Sequence, residues 1–161
     1  MTVTITHPSG KKARDTIIQP DFYLRLYRAT PQERVQTIKA GIRAQAAKDI
    51  IGRLDIPQGR VFEALKVSQS TVNRKAKQGE LLSASETERV LGVAKLAGQV
   101  QAMVEESGDP AGFDALAWLS TWLEAPLPAL GGARPVDWMD SMEGQALIST
   151  MLSRMQSGAY T

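Results

Sequence analysis

The 161-residue sequence contains no cysteine and only one histidine. The missing cysteines exclude disulfides, thiolate nucleophiles and cysteine-ligated metals, and fit a reducing compartment. His7 stands among Thr, Pro, Ser, Gly and basic residues with no sustained period. A Ser–His triad or a histidine-held metal has nothing to assemble from, so no catalytic residue, cofactor or metal is expected. Long apolar runs are also lacking. The longest, Ala115 to Leu119, falls far short of the ~20 residues of a membrane span. The start of the chain carries Lys11, Lys12, Arg14 and Asp15 but no apolar segment of a secretory leader. The cytoplasm is the expected location, with no membrane partner. What remains is ordinary for a globular chain: 43% hydrophobic and 22% charged residues, enough to bury roughly two-thirds of the unfolded surface.

Charge of one sign is scarce in each half. Residues 1–100 hold 17 Lys and Arg against 9 Asp and Glu, whereas residues 101–161 hold 2 against 8. The near-neutral total hides a basic front and an acidic back. Such a split either reflects surface composition alone or prepares two partners, a polyanion for the front and a different one for the back.

The periodicity is helical. Residues 1–20 read as a flexible basic arm, with Val3 and Ile5 alternating before His7-Pro8-Ser9-Gly10 breaks the pattern. Thr30-Pro31-Gln32-Glu33 is a helix start with hydroxyl cap, proline at the first turn and a capping-box glutamate. Behind it Val35, Ile38, Ile42, Ala46, Ile50 and Leu54 form one apolar stripe, weakened by Gly41 and Gly52. Ser83-Ala84-Ser85-Glu86 opens a second long helix bearing Val90, Val93, Ala97, Val100 and Val104. Gly108-Asp109-Pro110 is expected to end it and to cap the next, which carries Phe113, Leu116, Ala117, Leu119, Trp122 and Leu123. The last helix is expected over 142–156, with Leu147, Met151, Leu152 and Met155 inward and Gly158 beyond its end. The fold class is all-α.

Residues 56–82 carry the first chemistry. Pro57 opens a short helix with Val61, Phe62 and Leu65; Ser68 then caps a second, whose Val72 and Ala76 pack inward. Two short helices joined by a tight turn form a helix-turn-helix, or else a helical hairpin with a solvated polar face. In the first reading Gln69, Ser70, Thr71, Asn73 and Arg74 face base edges, while Lys75 and Lys77 reach phosphates. The segment resembles the Xre/Cro class. It departs at Lys66, where that class normally has a glycine in the left-handed conformation, which a lysine can adopt only at a steric cost.

A second pattern runs through residues 117–144: Trp118-Leu119, then Leu130-Gly131-Gly132-Ala133-Arg134-Pro135, then Asp137-Trp138-Met139 and Glu143-Gly144. The glycines permit a tight exposed turn, and Pro135 restarts a helix. Trp118, Trp122 and Trp138 are expected in a small aromatic core, Trp138 as core rather than interface. This order resembles the C-terminal domain of the Xre/MbcA/ParS antitoxins, and with the helix-turn-helix before it the likeness covers residues 56–161.

The resemblance implies an antidote in a type II toxin–antitoxin pair whose toxin has a RES domain and consumes NAD+ or transfers its ADP-ribose. It implies residues 21–107 as a DNA-binding and dimerising unit, and 108–161 as the toxin-binding unit that covers the toxin's active site. Operator DNA and a homodimer follow for autoregulation. Gly131, Gly132, Arg154 and the tail Gly158, Ala159, Tyr160 and Thr161 are the expected toxin contacts, with Tyr160 leading a plug at the NAD+ entrance. The tail is equally readable as a frayed terminus, and Arg154 as a solvated helix charge. The apolar stripe of 35–54 and the 84–107 helix are the candidate dimer seam, or else intramolecular core. Two other readings stay open: a stand-alone transcriptional repressor, and a protein-binding antitoxin without DNA affinity. Glu105-Glu106 and Asp137 with Asp140 read as surface charges rather than catalytic pairs.

Overall fold

The computed structural model describes residues 18, 19 and 21–158. Among them it is all-α: eight α-helices, two short 3-10 turns and no strand. The helices are α1 (Phe22–Arg28), α2 (Pro31–Ala40), α3 (Ala44–Gly52), α4 (Gln58–Leu65), α5 (Gln69–Lys77), α6 (Ala84–Glu106), α7 (Ala115–Leu123) and α8 (Met142–Gln156). The expected strand around Val3 and Ile5, the basic arm's lysines and His7 lie outside the described residues. Ile18, assigned to that arm, is instead part of the core at 1% exposure.

The long helix α6 is the spine. Both expected capping boxes form: Thr30 with Glu33 opens α2, and Ser83 with Glu86 opens α6. Eleven residues of α6, from Thr87 to Ala102, are buried, and α1, α2, α3, α7 and α8 all lie against it. Gly98 explains how α1 comes so close, because a Cβ there would sit 1.9 Å from the Tyr23 carbonyl oxygen. Three buried polar side chains, Thr87, Gln99 and Ser120, are paired, as the cost of an unpaired one demands. Thr87 Oγ1 accepts from Ile42 N (3.2 Å), Gln99 Nε2 donates to the Ser149 carbonyl (2.9 Å), and Ser120 Oγ donates to Leu116 O (2.7 Å) while accepting from Asp55 N (2.8 Å).

Three local expectations are corrected. The stripe from Val35 to Leu54 is not one helix. It splits at Gly41, whose φ of +81° ends α2, and the segment after it pairs with residues 80–82 through Leu82 N to Ile42 O (2.8 Å) and Ala44 N to Glu80 O (3.0 Å). The weak periodicity at Gly41 was the visible sign of the break. Asp109 does not cap α7; Asp114 does, with Oδ1 accepting from Ala117 N (3.0 Å), and Phe113 stays in the connecting segment at 40% exposure. In α8 the inward stripe is Gly144, Ile148, Met151 and Leu152, whereas Leu147 and Met155 are exposed. Gly144 sets that rotation, since a Cβ on it would stand 1.8 Å from the Trp138 carbonyl oxygen.

Candidate nucleic-acid and partner interfaces

In the front half, α4 and α5 are joined by the turn Lys66-Val67-Ser68. Lys66 takes φ 56°, ψ 40°, alone among the described non-glycine residues in having positive φ. The turn is held from two sides. Lys66 N donates to Glu63 O and Val67 N to Phe62 O, while Arg89 of α6 donates from Nη1 to the Lys66 carbonyl at 2.8 Å. Ser68 caps α5 as expected, accepting from Thr71 N at 3.2 Å. Val72 and Ala76 are buried beneath, against a core that includes Ala47, Ile50 and Leu65.

The opposite side of α5 is polar. Gln69, Ser70, Arg74 and Lys77 are exposed, and Thr71 and Asn73 half-exposed. The two lysines differ. Lys77 stands in solvent, whereas Lys75 Nζ is 3.2 Å from Glu86 Oε2 and both side chains are about four-fifths covered. Burial alone would raise the Glu86 carboxyl, but the Ser83 N–H and the Lys75 ammonium outweigh it and hold it below the ordinary carboxylate range. Arg74 makes a loose contact with Glu80 (3.9 Å) between exposed groups, of small energetic weight. Arg89 is a residue that sequence reading passed over: its charge looked like an ordinary helix-surface cation, and only the fold brings it to the Lys66 carbonyl.

In the back half, the chain from Leu127 to Ala133 closes on itself. Leu127 N donates to Ala133 O (3.0 Å) and Gly132 N to Leu127 O (2.9 Å). Gly131 (φ +65°) and Gly132 (φ +87°) face open space, so they serve the turn's backbone conformation and not close packing. Both are exposed at the tip. Pro135 begins a 3-10 turn, Pro135–Trp138, instead of an α-helix.

The three tryptophans do not form one cluster. Trp118 and Trp122 stack with ring centres 6.1 Å apart, but Trp138, expected in the core, is 38% exposed. Its carbonyl is what packs, against Gly144, and this turns the indole outward. Met142, Leu147 and Met155 of α8 are exposed as well, so the back half presents apolar groups rather than only the expected glycines. Arg154 and Gly158 are exposed near the end of α8. Ala159, Tyr160 and Thr161 lie outside the described residues.

The two halves meet through charge. Arg60 of α4 lies 2.9 Å from Asp137 and 3.4 Å from Glu124, and Arg134 reaches Glu124 at 3.2 Å. The hydrogen bond to Asp137 and the nearby carboxylates hold the Arg60 guanidinium charged. Glu105 pairs with Arg28 (3.1 Å), and Glu106 accepts from Gln156 (2.7 Å). Glu105, Glu106 and Asp137 are thus engaged in contacts between elements.

Comparison with known proteins agrees with this division. Residues 33–95 match the antitoxin Xre-like helix-turn-helix domain, and residues 110–158 match the antitoxin Xre/MbcA/ParS C-terminal toxin-binding domain. A relative from Sphingobium sp. (strain YBL2), named Prs ADP-ribosylating antitoxin, is 49% identical over 151 residues, covering 94% of this chain and 95% of the relative. With the two domains in the family's order and the likeness running nearly end to end, the chain belongs to the Xre/MbcA/ParS antitoxins.

Proposed function

We propose that the protein neutralises a cognate RES-domain toxin in a type II system by covering its active site, and represses its own operon in the cytoplasm as a homodimer. The observation that carries the reading is the match of residues 110–158 to a toxin-binding domain, on the half that presents Trp138, Met142, Leu147 and Met155 to solvent. Exposed aromatic and methionine side chains of this kind are the usual anchors of protein interfaces. The relative's name points the toxin's chemistry toward ADP-ribosyl groups, which come from NAD+. An acidic back half suits a cleft built to hold dinucleotide phosphates. Gly131, Gly132, Arg154, Gly158 and the tail Ala159–Thr161 are assigned to this contact, Tyr160 foremost. The protein acts by binding and not by catalysis.

For the front unit, residues 21–107, Gln69, Ser70, Thr71, Asn73 and Arg74 are assigned to bases and Lys77 to phosphate. Lys75 is a phosphate contact only if Glu86 releases it. Dimerisation on a palindromic operator is assigned to α2, because its Val35 stays open at 46% exposure while the apolar residues of α3 and α6 are spent on the core. The test is co-expression with the product of the neighbouring gene and purification of the complex, intact and with a chain ending at Ser157. A stable complex that consumes NAD+ only after the truncation supports the reading. Tight promoter binding with no stable partner overturns it in favour of a stand-alone repressor.

A further inference from the structure

At the junction of the two halves lies an open cavity of about 400 Å³, bounded by α1, the end of α3, the C-terminal part of α6 and the segment leading into α7. It belongs neither to the α5 face nor to the exposed residues of α8. Its volume is in the range of small-molecule sites. Three features of its wall define what it would hold.

The first is a pair of neighbouring donors. Tyr23 is 5% exposed, and its buried hydroxyl takes the neighbouring Arg53 guanidinium as a donor while its own proton meets no acceptor. Burial raises its pKa, against the lowering effect of the neighbouring Arg53, so the proton stays on the oxygen at neutral pH. Arg53 lines the same cavity and makes no ion pair within 4 Å among the described residues, although the Asp49 carboxylate one turn back on α3 lies within its field. A buried hydroxyl without an acceptor is costly, and a guanidinium beside it asks for an anion.

The second is an apolar wall. Val104 and Leu116 line the cavity together with Phe113, whose ring is left 40% exposed. Phe113 follows Gly112 (φ +75°), which places it in the segment between the halves and off α7. The third is the charge at the rim. Glu105 and Asp114 also line the cavity, but Glu105 is paired with Arg28 and Asp114 caps α7. Their negative charge opposes a polyanion such as a phosphate ester and tolerates a single negative charge.

We infer that this cavity binds a small aromatic carboxylate, its carboxylate on Arg53 and the Tyr23 hydroxyl and its ring against Val104, Phe113 and Leu116. Because the walls come from α1, α3 and α6 on one side and the 110–116 segment on the other, the ligand would brace the junction between the two halves.

The test is titration of the full chain with benzoate, followed by amide NMR shifts and calorimetry, with benzamide, acetate and inorganic phosphate as comparisons. The expected result is saturable shifts at Gln101, Phe113 and Leu116, with benzoate binding more tightly than any of the three comparisons. Arg53→Gln should weaken binding about tenfold, the value of one charge-assisted contact. Tyr23→Phe should weaken it severalfold. If Tyr23→Phe lowers the melting temperature, Arg53→Gln, at an exposed side chain, decides alone. Absence of shifts at these residues, equal binding by acetate or phosphate, or benzoate binding unchanged in Arg53→Gln overturns the proposal.

Discussion

The two halves solve opposite problems with the same spine. The front half holds a polar helix still: α5 is seated on Val72 and Ala76, capped by Ser68, tied by Lys75 to Glu86, and its preceding turn is fixed by Arg89. All of this leaves Gln69, Ser70, Arg74 and Lys77 outward on a rigid mount. The back half holds apolar groups outward, and it does so by backbone proximity. Gly144 against the Trp138 carbonyl turns both the indole and the face of α8 toward solvent. The comparison teaches that charge is presented by side-chain tethers and apolar surface by glycine. Either half loses its face if its own device is removed.

The largest way to break the comparison is a methyl group at a close backbone contact. Gly98→Ala would drive a Cβ into the Tyr23 carbonyl, and Gly144→Ala into the Trp138 carbonyl. Each should cost about 3 kcal/mol, the upper range for overpacking. The two should differ in reach: calorimetry should show one lowered transition for Gly98→Ala, whereas Gly144→Ala should lower the Trp fluorescence transition first. Coincident transitions in both variants would mean the halves do not separate.

Next in size is the charged seam. Arg60→Ala removes contacts to Asp137 and Glu124 from a guanidinium that is about three-quarters covered. A loss of about 1–2 kcal/mol is expected in a denaturant melt, because Asp137 loses its cation and Glu124 keeps only Arg134. An unchanged midpoint would place the coupling of the halves in apolar contacts alone.

Lys66→Gly should act in the opposite direction. It relieves a left-handed lysine, and the net gain should be about 1 kcal/mol after the greater freedom glycine has in the unfolded chain. The same melt reads it.

The two lysines of α5 then sharpen the account of its face. On promoter DNA, Lys77→Ala should lower the slope of log affinity against log salt by about one, as loss of a phosphate contact does. Lys75→Ala should leave the slope nearly unchanged and lower stability instead, because its partner is Glu86. Equal slopes would show that Lys75 leaves Glu86 for the DNA.

The smallest effect is on the acid side. A carboxyl held low in the folded state adds stability above its ordinary pKa, and that stability is lost as pH falls through the lowered value. Glu86→Gln should therefore flatten the decline of stability below about pH 4.5, checked by melts across that range.

Legibility followed the range of the interactions. The two capping boxes and the Ser68 cap are decided within four residues and stand in the structure where spacing placed them, and Lys66 is left-handed as the resemblance to the Xre/Cro class implied. The inward face of α8 was misread because Leu147 and Met155 fit a helical period as well as Ile148 does. Periodicity reports a stripe's existence and not which neighbour covers it. Arg89, Trp138 and the partner of Lys75 were illegible for the same reason: each contact joins two different elements, whose approach no helical period records.

By itself, then, the sequence determined the all-α class, the starts of α2, α5 and α6, the helix-turn-helix and the split of charge, because caps, turns and composition act locally. Tertiary structure decided which faces remain open. Only the approach of one backbone to another at Gly98 and Gly144, and the meeting of Arg60 with Asp137 and Glu124, fixes how the helices rotate about α6. Those distances depend on the packing of the whole core, and no short stretch of sequence contains them.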